Sequence, residues 1–271
     1  MKENFSPLSI SILGCGWLGL PLLCSLVDAG HDVKGSARRP EPLTAIKAAG
    51  GTPFRIDLPG EIPEDFIGGT DSALIITLPP CGRQLGTAAT EHYLACLQSV
   101  SRACGENQPR VFFTSSTGVY GDAKGEVTEA TPPQPNTHSS RAVLAAEEWL
   151  QRKFTDLTIL RLAGLIAEDR HPGRFYGGRD RLIPNSEAPV NLVHRADVIS
   201  AIRLLLKKPQ SKKLFNVCAA SHPAKGAFYK RAANSIGLQV PGFKPGGKGD
   251  KIISSHALRE LGWAPLHENL M

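Results

Sequence analysis

The stretch Ile10-Ser11-Ile12-Leu13-Gly14-Cys15-Gly16-Trp17-Leu18-Gly19 decides the fold. Leu8–Leu13 is a short apolar run that reads as a buried strand, and Leu18–Ala29 continues with helical spacing. Between them stands G-x-G-x-x-G. In a strand–turn–helix unit the first glycine permits the tight turn. The second lets the backbone approach a pyrophosphate, and the third lets helix and strand pack closely. The N-terminus of the helix then offers N–H groups and a positive dipole end to phosphate oxygens. Gly14, Gly16, Trp17, Leu18 and Gly19 are therefore candidate dinucleotide-binding residues.

Outward from this loop, short apolar runs alternate with longer helical patterns, as in parallel α/β folds. The strand candidates are Leu8–Leu13, Asp32–Gly35, Thr52–Asp57, Ala73–Leu78, Val111–Ser115, Leu157–Leu162 and Leu214–Val217. Several are unbroken apolar runs, which fits strands covered on both faces. Helical spacing marks Leu18–Ala29, Ala45–Ala49, Thr87–Cys104, Arg141–Phe154 and Asp197–Lys207, and the proline-rich Thr128–Pro135 reads as a loop. The expected fold is an α/β Rossmann-type doubly wound parallel sheet with a small C-terminal substrate subdomain. The expected core covers residues 1–168 with 190–220 returning to it, and the subdomain covers 169–189 and 221–271.

The end of the second strand selects the cofactor. NAD-binding units place Asp or Glu there, on the ribose hydroxyls. Here the stretch is Val33-Lys34-Gly35-Ser36-Ala37-Arg38-Arg39, with no acid until Glu41. Ser36, Arg38 and Arg39 offer a hydroxyl and guanidinium groups suited to a 2′-phosphate, so NADP is expected ahead of NAD. A solvated basic loop is the alternative reading of the same residues.

After the fifth strand comes Phe112-Phe113-Thr114-Ser115-Ser116-Thr117-Gly118-Val119-Tyr120-Gly121-Asp122. With the glycine loop, this resembles the extended or atypical short-chain dehydrogenase/reductase superfamily, near the nucleoside-diphosphate-sugar epimerases and dehydratases. The resemblance runs essentially end to end. It includes Leu160-Arg161-Leu162, Asn191-Leu192-Val193-His194-Arg195-Ala196-Asp197, Phe215-Asn216-Val217 and Leu258-x-x-Leu261-Gly262-Trp263. Extended members usually carry G-x-x-G-x-x-G, so the G-x-G-x-x-G here points to an atypical branch. The resemblance implies that Asp57 and Leu58 flank the adenine and that Leu78 and Pro79 border the cofactor ribose. It also implies that the loop after the sixth strand contacts a sugar nucleotide, where Arg174 and Arg179 are suited to clamp a diphosphate.

Catalysis in that superfamily rests on a Ser/Thr and a Tyr-x-x-x-Lys, whose tyrosine moves a proton while the nicotinamide moves hydride. Ser116 matches the Ser/Thr. Alignment on the preceding prolines puts Thr137 at the tyrosine and Arg141 at the lysine. A threonine hydroxyl is too weak an acid to replace a tuned tyrosine, and arginine does not titrate usefully. Tyr120 and His138 stand nearby in sequence as other candidate proton donors. Tyr120 also reads as packing beneath its turn, and His138 as an ordinary loop residue. His194 and Asp197 are expected to orient the substrate loop and cap the next helix.

The chain has 271 residues, enough for one large α/β domain with an appendage. Its 31 Lys/Arg against 25 Asp/Glu give a net charge of +6. Ala201–Lys251 alone holds eleven basic residues against Asp250. Lys207, Lys208, Lys212 and Lys213 suit a helix C-terminus and the following turn. The later lysines suit a small anionic ligand such as a nucleotide sugar; charge alone is a poor argument for nucleic acid. The six cysteines form no C-x-x-C, fitting neither zinc nor a disulfide framework, so no metal is expected and a reducing cytoplasm is. The uncharged Ile10–Val27 contains Gly14, Gly16, Gly19 and Pro21 and lacks a proper signal region before it, so no membrane role is expected. Two functions stay open: an NADP-dependent oxidoreductase or epimerase-like enzyme, and a non-catalytic NADP(H)-binding sensor or regulatory protein.

Overall fold

Ile10, Ile12 and Leu13 are buried on the first strand because that strand lies mid-sheet, paired on both sides. The computed structural model describes residues 7–106, 108–178, 180, 182–207 and 213–270. In chain order the first elements are β1 (Ser9–Leu13), α1 (Gly19–Asp28), β2 (Asp32–Ala37), α2 (Pro40–Ala48), β3 (Thr52–Arg55) and β4 (Ser72–Ile76). Then come α3 (Gly82–Leu85), α4 (Ala89–Cys104), β5 (Arg110–Ser116), β6 (Glu126–Val127), α5 (His138–Lys153) and β7 (Leu157–Leu162). The last are β8 (Gly164–Ile166), α6 (Gly173–Tyr176), β9 (Leu192–His194), α7 (Arg195–Lys207), β10 (Leu214–Val217), α8 (Lys225–Asn234), β11 (Ile252–Ile253) and α9 (His256–Glu260).

The main sheet has seven strands in the order β10-β7-β5-β4-β1-β2-β3. Pairing is parallel from β3 through β2, β1 and β4 to β5, with Ile10 opposite both Val33 and Ala73. This is a Rossmann-like α/β fold. The chain steps outward from β1 to β3 and then crosses back to β4. The order of strands therefore reverses between β1 and β4, and ligands of such sheets bind beyond the strand ends at that crevice. β4 and β7 are buried along their whole lengths, as strands covered on both faces are, with Ser72, Thr158 and Arg161 buried among their apolar residues.

The helices follow their apolar spacing. α1 buries Leu22, Leu23 and Leu26, and α4 buries Tyr93, Cys96, Leu97, Val100 and Cys104. Truncating such a core leucine to alanine typically costs about 2–5 kcal/mol. α2 begins at Pro40 rather than at Ala45. Pro at the first helical position loses only an N–H that has no intrahelical partner anyway, so the helix extends back to Arg39 as its N-cap.

The chain divides into two compact units, Met1–Ser115 with Thr137–Leu160, and Ser116–Asn136 with Arg161–Met271. The first holds the glycine loop and the crevice between β1 and β4. The second contains two small parallel pairs, β6 with β11 and β8 with β9. It also has an aromatic cluster in which Phe228 and Tyr229 of α8 pack with Ile166, Val190 and Leu192. No described helix is long and apolar enough to cross a membrane.

Candidate functional site

In the first unit the glycine loop is built from constraints that each glycine answers differently. Gly14 has φ +102°, a left-handed backbone that a side chain would strain. Gly19 cannot carry a Cβ, which would lie 2.3 Å from the Gly14 carbonyl oxygen. That contact seats the first turn of α1 directly on the end of β1. Gly16 is exposed, and a Cβ there would meet nothing within 4 Å. It is the open point where an elongated phosphate group can approach the backbone. The residues present thus fit a dinucleotide.

The loop is held from two sides. The Gly14 N–H donates to Ser36 Oγ at 3.0 Å, and the Cys15 N–H donates to the Ser36 carbonyl at 2.7 Å. Just past the end of β4, Thr77 Oγ1 donates to the Gly14 carbonyl at 2.7 Å. Cys15 points inward, where its Sγ takes the space a Cβ on Gly35 would need, and burial pushes its thiol up to about 12. It is a packing residue and no nucleophile.

Around this cradle lie the other cofactor candidates. Arg38 and Arg39 are exposed beyond β2, and Asp57 is exposed beyond β3. The charges of Arg38 and Asp57 both act on Cys96 of α4, which places them in one neighbourhood; burial is the larger influence and raises that thiol. Leu78 and Pro79 follow β4, with the Leu78 carbonyl fixed by Tyr93 Oη at 2.8 Å. Leu78 Cδ2 would lie 3.1 Å from a Cβ on Gly14, so the β1 and β4 strand ends converge. Next, Gly82 packs against the start of α5, where a Cβ would stand 2.4 Å from Ser139 Oγ and 2.5 Å from its nitrogen.

Ser36 departs from expectation. It is buried, and its hydroxyl is engaged by the Gly14 N–H, so it shapes the loop from beneath and does not face a 2′-phosphate. Thr137 departs as well. It is the N-cap of α5: its Oγ1 accepts the Ser140 N–H at 3.1 Å, while Ser140 Oγ accepts the Thr137 N–H at 3.0 Å. This reciprocal capping box satisfies two helix-end donors. Arg141 is exposed in the first turn of the same helix, and His138 is its exposed first residue.

In the second unit, Ser116 caps the short 3₁₀ turn Thr117–Tyr120 by accepting the Gly118 N–H at 3.0 Å. Its own hydroxyl proton is directed elsewhere by that bond. Tyr120 is wholly buried, and its hydroxyl donates to Asn216 Oδ1 at 2.8 Å. The Arg161 guanidinium lies 4.8 Å over its ring, and burial raises its pKa above the ordinary tyrosine value. Asn216 is itself fixed by Ser254 and Glu129. Tyr120 is thus packed beneath its turn, with its hydroxyl bound to Asn216.

Arg174 is exposed on α6, whose Gly173 packs so closely that a Cβ would meet the Ala232 carbonyl at 2.1 Å. Arg179 lies outside the described residues, as do Lys208 and Lys212. Asp197 sits in the first turn of α7, where helix capping was expected. Instead its buried carboxylate accepts the N–H groups of Leu266 and His267, at 2.7 and 3.1 Å.

Glu168, His194 and His267 bring three ligand-type atoms within 4.8 Å of one another. His194 Nδ1 accepts the Ala196 N–H at 3.2 Å, so the ring proton stands on Nε2, facing Glu168 Oε1 at 3.3 Å. A nitrogen that donates has no lone pair for a metal. This group is arranged to hold protons.

Thr77 and Tyr93, which brace the cofactor crevice, escaped the sequence reading. Both act through carbonyl groups of residues distant in sequence, and only a strand-end hydroxyl and a helical aromatic marked them.

The NAD(P)H-binding family model matches residues 14–209. Protein YeeZ of Escherichia coli (strain K12) is 41% identical over 263 residues, covering 94% of each chain. Among solved structures, UDP-glucuronic acid 4-epimerase from Bacillus cereus in complex with NAD is similar at a TM-score of 0.75. It is 15% identical and covers 97% of this chain and 94% of that one. MoeE5 in complex with UDP-glucose and NAD is similar at a TM-score of 0.72, with 20% identity over 97% of this chain and 96% of that one. These likenesses concern the fold.

Proposed function

The chain belongs to the NAD(P)H-binding family, and from that premise we propose an NADP(H)-dependent oxidoreductase or epimerase-like enzyme acting on a nucleotide sugar or a related carbonyl or alcohol. The observation that carries this reading is the glycine loop: Gly14 in the left-handed region, Gly19 against the Gly14 carbonyl, and Gly16 open. Gly14, Gly16, Trp17, Leu18 and Gly19 would hold the pyrophosphate, and Asp57, Leu58, Leu78 and Pro79 the adenosine and ribose. Bound there, a nicotinamide supplies hydride transfer.

The choice of NADP rests on Arg38 and Arg39, exposed where NAD-binding units carry an acid. Their guanidinium groups match phosphate oxygens, and Ser36 drops out of this role because it is buried. Arg141 holds positive charge at the start of α5, and Ser116 offers a hydroxyl proton to a substrate oxygen. Arg174 provides an anion contact on the substrate side. The Bacillus cereus epimerase and MoeE5 support a nucleotide sugar as the substrate class.

Titration with NADPH and NADH tests the cofactor. NADPH is expected to bind at least about tenfold tighter, the worth of one charge-assisted contact. The doubly substituted R38Q/R39Q protein is expected to lose that preference, and tenfold tighter NADH binding would sink the NADP assignment. Turnover is then assayed with UDP-glucose and UDP-glucuronate.

A second reading, a non-catalytic NADP(H) sensor, has its own observation. The Thr137 hydroxyl is engaged in the cap of α5, and the Tyr120 hydroxyl is buried against Asn216, so two of the three hydroxyls expected from sequence are occupied. Tight NADPH binding without turnover of any nucleotide sugar would favour this reading.

A further inference from the structure

We propose that His194 and His267 form an acid-sensitive latch that keeps the C-terminal tail docked within the second unit. The proposal is independent of the cofactor reading. The tail after α9 is tied down by a series of specific bonds. Trp263 Nε1 donates to the Asp197 carbonyl at 3.2 Å and to Ser200 Oγ at 3.0 Å. The Asp197 carboxylate accepts the Leu266 and His267 N–H groups and faces His267 Nδ1 at 3.1 Å. Glu268 pairs with Arg259 and accepts the Ala220 N–H. Finally, the Leu270 N–H donates to Ser221 Oγ, and its side chain packs on the Phe228 and Tyr229 cluster. Release of the tail therefore uncovers part of the aromatic cluster of the second unit.

The latch itself is the imidazole stack. The rings of His194 and His267 lie nearly face to face, 3.7 Å apart and inclined by 27°. The charged groups facing them are Glu168 at His194 Nε2, Asp197 at His267 Nδ1, and Arg195, which pairs with Asp169. Two neutral rings stack without penalty. Two protonated rings at that separation repel, with one of them largely out of water.

In the docked arrangement His267 Nδ1 stands 3.1 Å from the Asp197 carboxylate. That residue is half-exposed and lies against a buried carboxylate. His194 can accept a second proton only at Nδ1, which already takes the Ala196 N–H. Burial first, and then the His267 charge, hold its pKa below the ordinary 6.5, against the opposing pull of Glu168 and Asp197. Undocking the tail removes the His267 ring and returns the His194 ring to water, which lifts the two influences that hold its pKa down. Protons thus bind the undocked form more tightly, and mass action releases the tail as pH falls through the usual histidine range.

Hydrogen exchange on the 271-residue chain tests this, following the amides of residues 264–270 at about pH 7.5 and 5.5 with intrinsic rates corrected. The tail protection factor is expected to fall on the order of tenfold at the lower pH, what one linked proton carries over one pH interval of unity. His194→Gln retains a donor for Glu168 but does not titrate, and its tail protection is expected not to fall at the lower pH. Equal protection in the unsubstituted protein, or an undiminished acid loss in His194→Gln, overturns the latch. Should His194→Gln fail to fold, His267→Gln decides. A smaller acid loss there supports the stack, and an unchanged one overturns it.

Discussion

The glycine loop and the start of α5 lie in the same unit, and each corresponds to one half of the superfamily's machinery, yet they carry it differently. At the loop, every chemical requirement of a dinucleotide cradle is met by backbone geometry. At α5, Thr137, which the resemblance aligns with the tyrosine, serves as a helix cap. A cradle made of missing side chains tolerates almost no change. A helix start tolerates many residues, and a threonine there finds immediate use as an acceptor for the Ser140 N–H.

The largest effect that can break this comparison is at Gly19. In Gly19→Val the side chain meets the Gly14 carbonyl oxygen at 2.3 Å, a backbone atom that cannot step aside. A loss of about 3 kcal/mol in chemical denaturation and undetectable NADPH binding are expected. Normal NADPH affinity in a folded Gly19→Val protein would show that the loop is not the cofactor site.

Ser36→Ala comes next. It leaves the Gly14 N–H without its acceptor, at an expected cost of about 1–3 kcal/mol. Because the hydroxyl is buried, NADPH and NADH affinities should fall by the same factor. A selective loss of NADPH would return Ser36 to the 2′-phosphate. Thr137→Ala should cost about 1 kcal/mol through the lost cap, with Thr137→Ser near neutral and cofactor affinity unmoved in both. If Thr137→Ala instead abolished turnover in a protein of unaltered stability, the hydroxyl would belong to catalysis.

The smallest expected effect is a pH dependence of stability. The pKa of His194 is held below 6.5 in the folded state, chiefly by burial. Above 6.5 neither state is protonated there, and the contribution is flat. Below 6.5 the unfolded chain takes up the proton first, so stability falls until the folded pKa is reached. The loss is small, because a single proton is involved and residual contact with solvent damps the effect. Urea denaturation at about pH 7.5, 6.5 and 5.5 should show this decline, and His194→Gln should remove its share of it.

Much of the fold was legible because its signals are local. β7 and β10 match their expected spans residue for residue, and β1, β2, β4 and β5 lie within two residues of theirs at each end. The signal there is a short apolar run, and nothing distant is needed to read it. The two-residue strands β6 and β11 had no such run, because their pairing comes from the register of Ile252 with Glu126. α8 carries Gly226 near its start, and its apolar positions Phe228, Tyr229, Ala232 and Ala233 were masked by the basic residues among them.

In the site the division is similar. The positions of Gly14, Gly16 and Gly19 alone were sufficient to locate the cradle, since spacing along one turn determines which glycine meets which constraint. The same sequence could not tell that Ser36 faces inward, that Tyr120 is sealed under Arg161, or that Asp197 grips a tail seventy residues on through Leu266 and His267. A hydroxyl or carboxylate has one chemistry but many possible partners. Which partner it takes depends on residues brought near by the folded chain, and with them on whether the group is held in a hydrogen bond or left to meet a ligand. Sequence by itself determined the layered parallel sheet and the cradle at its crevice; tertiary structure alone decided which polar side chains the fold had already put to use.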